Sequence, residues 1–442
     1  MSRDRSSRSG RFLRRIGVPA VCVATLSGLG VTSAGVSTAG AATTAPLVVG
    51  DIWPYSGALA EYGIHSQAGC LAAAYVVKQA GGVLGHQISC AEVDDKGDSV
   101  DAVPVVQKFL STTHNLVGVS GPETTTSLAL APLLDGAKVP WISYTGSAYF
   151  DRNKSPYFYR MALADAVYGA SLAYAAHIGH YKKAVVILGA NTGAADLHSG
   201  LLEGLRKLHS PKLVLDLSVA IDQPSYSAEV ARIAAATPTV VLAEMDPQTA
   251  TTMFSDLKSQ YHLIPFITDA TDLTIHVFKA LKKTVGAQNV LKYLHAVSSQ
   301  VTTSGPGEAA YTSALRAVKK HYPTAMEYVN DPQAQYTYDT VLIFALAMVA
   351  AKSTNPQVFN AYISKVTNPN AGSEAVKTFA AGKKALGSGK HIRYIALIGP
   401  LNFDPSHTST PPLQEFKYKP NGNYQPMATV RLPAAKVQKL VS

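Results

Sequence analysis

From Leu47 onward, short apolar runs alternate with longer stretches in which apolar residues recur at helical spacing. The strand-like runs fall at 47–52, 87–93, 115–120, 140–143, 184–188, 212–219, 239–243 and 265–268. Helical periods cover 100–110, 166–178, 197–208 and 249–260 between them. An alternation of this kind predicts an α/β fold whose parallel sheets are covered by helices on both faces. The stretch 47–95 carries the most information. A strand leads into the Tyr55-Ser56-Gly57 turn, a helix through Tyr75-Val76-Val77, the loop Gly81-Gly82-Val83-Leu84-Gly85, and a second strand ending in Asp94-Asp95. These parts make a right-handed βαβ unit whose turn faces a crevice, where ligands gather in such sheets.

One sheet holding all these strands would be unusually wide, so the pattern predicts two. The division falls near 157–161, after the turn-rich segment 151–156 and before a new series beginning at Lys183. A second change comes over 287–311, which is polar and contains Gly305-Pro306-Gly307. A helix then follows over 336–351, with eleven consecutive apolar residues from Val341. That run is too short to cross a bilayer and is typical of a buried helix. From Ile395 the tail reads as short strands and turns.

Composition supports a large core in two domains: of 442 residues, 47% are hydrophobic and 15% charged. The first 41 residues stand apart. Arg3, Arg5, Arg8, Arg11, Arg14 and Arg15 precede an apolar, small-residue run to about Val36, and then Ala39-Gly40-Ala41. This is the signature of a secretory signal peptide cut after Ala41 or Ala42, with a weak twin-arginine hint at Arg14-Arg15. The alternative is a retained membrane anchor, although glycines and hydroxyls dilute the run. Half of the formal charge of +10 sits in this leader. The remainder is diffuse, without the basic and aromatic clustering of a nucleic-acid protein.

Two cysteines remain beyond the leader, Cys70 and Cys90, on neighbouring parts of the βαβ unit and bound for an oxidising compartment. A disulfide is expected there; the alternative is two buried unpaired thiols. Neither has the spacing of a metal site. No nucleophile elbow, zinc-protease helix, phosphate-binding loop or dinucleotide fingerprint occurs beyond the leader, so no catalytic constellation is expected. His177 and His180 flank a helix end without a nearby carboxylate and read as cations near a helix C-terminus rather than as metal ligands.

The order and spacing of several stretches resemble the type I periplasmic binding proteins of ABC importers, in particular the branched-chain amino-acid (Leu/Ile/Val-type) group. The matching residues are Tyr55-Ser56-Gly57 with Tyr62-Gly63, the 81–85 loop, Val93-Asp94-Asp95, and 117–121 followed by Thr124-Thr125-Thr126. Val139-Pro140-Trp141-Ile142-Ser143, Phe158-Tyr159-Arg160, Tyr338-Asp339 and Gly399 to Asp404 continue the match. The resemblance implies two Rossmann-like lobes joined by a three-crossover hinge that close on a solute. Lobe 1 would comprise 46–160 with 290–393, and lobe 2 would comprise 161–289 with 394–442.

It also implies a set of site residues. The Thr124 to Thr126 cluster stands where a strand meets a helix, and free helical N–H groups there make a seat for a carboxylate. By the resemblance Thr125, Thr145 and Ser147 hold the ligand's carboxylate and ammonium, Thr124 shares the seat, and Gly146 lets the backbone approach. Tyr62 matches a pocket aromatic. Glu123 is unusual beside an anion seat; it points to solvent, or it signals a cationic or neutral solute. In the second lobe Gly193 stands where the family has a stacking tyrosine, and Ala270 where an acid is common. Asp246 and Asp269 are the candidate acids there, although Asp246 before Pro247 and Asp272 before Leu273 also fit helix capping. The expectation is an exported, monomeric solute-binding protein without cofactor, catalytic residue or bound metal. It would capture a small polar molecule, an amino acid or a related amide or carboxylate, and deliver it to ABC permease subunits. Contact with the membrane would come only through the permease. The alternative is an extracellular ligand sensor.

Overall fold

The computed structural model describes residues 44–57, 59–190, 194–269, 275–299 and 302–441. The expected leader, Gly193, Ala270 and Asp272 therefore lie outside the described residues. The chain begins with β1 (Leu47–Trp53), α1 (Ala60–Gln79), β2 (Ile88–Asp94), α2 (Ser99–Thr112), β3 (Leu116–Glu123), α3 (Thr124–Ala137), β4 (Trp141–Tyr144) and β5 (Phe158–Arg160). A second series runs α4 (Asp165–Ile178), β6 (Lys183–Gly189), α5 (Ala194–Leu208), β7 (Lys212–Val219), α6 (Ser227–Ala236) and β8 (Val240–Glu244). It continues with α7 (Pro247–Gln260), β9 (Phe266–Thr268), α8 (Ile275–Thr284), α9 (Ala287–Tyr293) and β10 (Leu294–Ser299). Then come α10 (Pro306–Val318), α11 (Pro332–Ala351), α12 (Pro356–Phe359), α13 (Ile363–Thr367), β11 (Glu374–Val376), α14 (Phe379–Gly387), β12 (Ile392–Ala396) and β13 (Gly399–Pro400). The chain closes with β14 (Leu413–Tyr418), β15 (Tyr424–Leu432) and α15 (Ala434–Val441).

The first series forms a five-stranded parallel sheet in the order β2-β1-β3-β4-β5. The second sheet has seven strands, β15-β14-β10-β9-β8-β6-β7. Its parallel part, β7-β6-β8-β9-β10, repeats the strand order of the first, and β14 and β15 add antiparallel strands at its edge. The sequence shows no internal repeat; the repetition is one of topology. In both sheets the order reverses beside the first strand, which opens a crevice at the strands' carboxyl ends.

Each sheet is buried on both faces. One face of the first packs with α1, α10 and α11 around Trp53, Tyr338 and Phe344, and the other packs with α2 and α3 around Val106, Leu130 and Trp141. The second sheet carries α6, α7 and α8 on one face and α4, α5 and α15 on the other. Such two-sided burial is why the strands read as continuous apolar runs. Helix α11 begins four residues earlier than its apolar run suggested, because Asp331 caps it and Pro332 fills its first turn. It lies buried from Pro332 to Met348 and packs against α1, whose Gly69 allows the contact: a Cβ there would stand 2.0 Å from the Ala334 carbonyl oxygen. Cys70 on α1 and Cys90 on β2 are joined by a disulfide with their Cα atoms 6.1 Å apart.

The chain passes between the sheets three times: from β5 to α4, from β10 to α10, and from β13 to β14. Two expected lobe boundaries shift. Strand β10 hydrogen-bonds to β9 and β14 in the second sheet, although 290–393 was assigned to the first lobe. Tyr394, Leu397, Leu401 and Phe403 pack in the first core, although 394–442 was assigned to the second. An apolar run carries no record of which sheet it will join, and only pairing decides that.

Several residues that carry the family resemblance brace turns and connections. Asp94 accepts hydrogen bonds from the Tyr55 N–H (2.8 Å) and the Ser56 hydroxyl (2.7 Å), which fixes the turn after β1. Asp339, fully buried in α11, accepts from the Tyr394 hydroxyl at 2.6 Å and the Ile398 N–H at 3.1 Å, tying the core helix to β12 and the turn that leads into β13. Burial pushes its carboxyl up to about 7. Arg160, 2% exposed at the first connection, pairs with Asp151 at 2.7 Å.

Candidate functional site

A cavity of about 450 Å³ lies where the carboxyl ends of the two sheets face each other. Its wall from the first sheet is built from the loop and helix after β1 (Leu59, Glu61, Tyr62, His65), from the end of β3 (Glu123, Thr124, Thr125), and from Tyr144 and Gly146 after β4. The opposite wall comes from Ala190 after β6, Glu244 and Asp246 after β8, Asp269 after β9 and Ser299 at the end of β10. Asp165 and Tyr168 at the start of α4 and Asp331 at the start of α11 close the side where the connections run.

Tyr62 and Tyr144 form the aromatic part, held from behind by Trp53. Tyr62 stacks on Trp53 at 6.3 Å between ring centres, Trp53 meets Tyr144 at 6.1 Å, and Tyr144 meets Tyr336 edge-on at 4.9 Å. The buried, packed rings lose little entropy on contact with a ligand. The Tyr168 hydroxyl donates to the Val297 carbonyl, linking α4 to β10 within the second layer.

The polar part is dominated by carboxylates. Glu123 does not point to solvent: it is 7% exposed and caps α3. Its Oε2 accepts from the Thr125 N–H at 2.7 Å and the Thr125 hydroxyl at 3.0 Å, while Oε1 has no hydrogen-bond partner. The helix end expected to seat a ligand's carboxylate is therefore filled by the protein's own. Burial, with Asp95 nearby, pushes the Glu123 carboxyl up to about 7. Asp95, itself buried, accepts from the Thr126 hydroxyl at 2.7 Å, which uses up the third threonine of the cluster. Asp165 is pushed up to about 8, first by burial and then by the charge of Asp196, against the opposing pull of Arg160. One of its oxygens, Oδ2, is also without a partner.

Asp246 caps α7 through Oδ1, which accepts from the N–H groups of Gln248 and Thr249 at 3.0 Å each, and its Oδ2 is unpartnered. The capping role and the cavity position are held by the same side chain. Asp331 caps α11 and also takes His65 Nδ1 at 3.0 Å. Burial by itself would lower the His65 pKa, but the charges of Asp331 and Glu61 override it and hold the value above the ordinary 6.5. His65 is thus already engaged by Asp331. The other cation on the lining, Lys96, is half exposed and reaches Asp101 at 3.2 Å.

The residues proposed from sequence divide accordingly. Tyr62, Thr124, Thr125, Gly146, Asp246 and Asp269 line the cavity. Thr145 and Ser147 do not. The Thr145 side chain is fully buried and accepts from the Ser127 hydroxyl at 2.9 Å and the Ser147 N–H at 3.3 Å, and Ser147 starts the short helical turn Ala148–Arg152. Gly146 does permit a close approach, but by Asp165: a Cβ at 146 would stand 1.7 Å from its Oδ1. Thr124 holds this corner by accepting from the Gly146 N–H at 3.0 Å. His177 hydrogen-bonds the Ser210 carbonyl, and no three acid, histidine or cysteine side chains among the described residues are placed to hold a metal. Sequence reasoning missed Asp165, Glu244, Asp331 and His65. Asp331 stands five residues before the helix start that the apolar pattern gave, and nothing local showed that it would face the cavity.

Two sheets whose parallel strands share one order, three connections and a cleft between carboxyl ends define the type I periplasmic-binding-protein fold. The periplasmic binding protein family model matches residues 46–389, and the chain belongs to that family. Comparison with curated protein sequences gives no match. Among solved structures, the isoleucine complex of the branched-chain amino acid transporter substrate binding protein LivJ from Streptococcus pneumoniae is similar at 18% identity. That alignment covers 86% of this chain and 99% of LivJ, with a TM-score of 0.68. A solute binding protein from R. palustris in complex with 4-hydroxybenzoate is 14% identical over 88% of this chain and 96% of its own, with a TM-score of 0.68. A fatty acid ABC transporter substrate-binding protein from Thermomonospora curvata is 14% identical over 88% and 94%, with a TM-score of 0.66. At such identities the likeness is one of fold.

Proposed function

We propose that this protein is an exported solute-binding protein of an ABC importer, capturing a small organic molecule in the cavity and delivering it to permease subunits. The observation that carries the reading is the cavity itself, built from the carboxyl ends of both sheets and bordered by the connections between them. Its volume lies within the range that buries a small ligand, roughly 300–1,000 Å³. Family membership supports the same reading, as do fold neighbours whose titles name isoleucine and 4-hydroxybenzoate as ligands. In this mechanism the solute docks on one wall and bending of the three connections brings up the other. The solute favours the closed form only by its greater affinity for it. The permease reads the closed outer surface.

The test is a thermal-shift and calorimetric screen of the full chain against amino acids, amides, aromatic acids, amines and polyols. A solute at 100 times its dissociation constant adds about 2.7 kcal/mol of stability. A hit that also contracts the molecule in solution scattering supports capture by closure. No stabilisation by any class, with unchanged scattering, refutes it.

A further inference from the structure

We infer that the solute is an organic cation: an ammonium compound with an apolar body and no carboxylate of its own. The inference rests on the solute-binding reading and narrows it to a chemical class.

Eight of the residues lining the cavity are acidic, against one histidine and one lysine, so the wall is anionic even with both cations charged. Neither cation is available to an anionic ligand: His65 is held by Asp331, and Lys96 reaches out to Asp101. The helix end that could have bound an anion is capped by Glu123. Residues 191–193, 270–274 and 300–301 add no lysine, arginine or histidine. A carboxylate entering this space would meet like charges in a poorly screened setting and find no free counter-charge among the described residues.

The second observation comes from individual oxygens. Glu123 and Asp246 come from opposite sheets, line the cavity and are each only 7% exposed, yet Glu123 Oε1 and Asp246 Oδ2 have no hydrogen-bond partner. A buried carboxylate oxygen left bare is costly, and a donor supplied by a ligand removes that cost. Two such carboxylates, one on each wall, favour a ligand that brings donors rather than acceptors. The aromatic lining of Tyr62 and Tyr144 favours an organic cation, since ring faces attract ammonium groups and cover apolar carbon. A metal ion is disfavoured because the acids surround the space without converging on one point.

The experiment titrates the full chain calorimetrically with putrescine, choline, leucine, benzoate, 1,4-butanediol and calcium chloride. We expect heat and a raised unfolding midpoint with at least one of the two ammonium compounds and none with benzoate. Glu123→Gln and Asp246→Asn should each weaken that binding at least tenfold, with an accompanying rise in the dissociation rate. Binding of leucine or benzoate but of neither ammonium compound would overturn the cation assignment and leave the solute-binding reading standing. Binding of calcium alone would also overturn it, in favour of a metal site. Should either variant fail to fold, the wild-type titrations decide the matter by themselves. Silence from every compound in this panel and in the wider screen would remove the solute-binding reading and this inference with it.

Discussion

Glu123→Gln tests the electrostatic account of the cavity most directly. The amide keeps the shape of the side chain, and its oxygen can still accept from the Thr125 N–H, so the cap on α3 persists. What it removes is a buried charge. The Glu123 carboxyl is raised from 4.5 to about 7, chiefly by burial. Between those values the folded state binds the proton more tightly than the unfolded chain, so stability falls as pH rises through the interval. At pH 8 the group is ionised in both states, and the cost to the fold amounts to roughly 3 kcal/mol at about 1.4 kcal/mol per tenfold change in proton affinity. At pH 5 it remains protonated in the folded state, and the cost shrinks to about 1 kcal/mol. The glutamine variant should therefore be the more stable protein at pH 8, with most of its advantage gone at pH 5. With an unfolding entropy of roughly 2 cal/mol/K per residue over about 400 residues, 3 kcal/mol corresponds to a rise of about 4 °C in Tm. Scanning calorimetry of both ligand-free proteins at the two pH values measures this. A variant no more stable than wild type at pH 8, or equally advantaged at both pH values, would refute the claim that Glu123 is a buried carboxylate held in an unfavourable charge state.

Other consequences can be checked in the same assay. Cys70→Ser or Cys90→Ser, or reduction of the disulfide, should lower stability by about 3 kcal/mol through release of a loop of about 20 residues in the unfolded chain; an unchanged midpoint would show that the bridge does not form in solution. Gly69→Ala should destabilise by about 1–3 kcal/mol, because its Cβ would intrude on the Ala334 carbonyl where α1 crosses α11. Urea denaturation would show this as a shifted midpoint. Thr125→Ala, which removes a hydroxyl bonded to Glu123, and Asp269→Ala, which removes an acid from the opposite wall, should each weaken the best ligand of the screen by about tenfold or more. Unchanged affinity in both would discard the proposed site while leaving the fold intact.

Much of the architecture was legible because burial on two faces leaves a strong mark. Val185, Val186, Ile187 and Leu188 can lie consecutively in β6 only if helices cover both sides, and the sequence shows that run directly. The turn after β1 was legible through Tyr55-Ser56-Gly57 and Asp94, which the structure joins by hydrogen bonds. The site was legible only in part. Thr124 and Thr125 line the cavity, and they stood out because hydroxyl residues between a strand and a helix have a local meaning. Thr145 and Ser147 were misplaced, since which way a side chain turns after β4 depends on Ser127 and on the helical turn that follows. Glu123 showed itself as out of place, but the sequence left open whether it faced water or the cavity.

Local chemistry settled what could be settled by neighbours along the chain: the parallel α/β pattern, the capped helix start at Asp246, and the cysteines carried by α1 and β2. Only the folded chain decided which strands share a sheet, so that β10 joins β9 and β14 while Tyr394 and Phe403 return to the first core. The same holds for the charge of the cavity. Its acids come from elements as distant in sequence as Glu61 and Asp331, each with an ordinary local role, and their common field exists because two sheets with the same strand order present their carboxyl ends to one another.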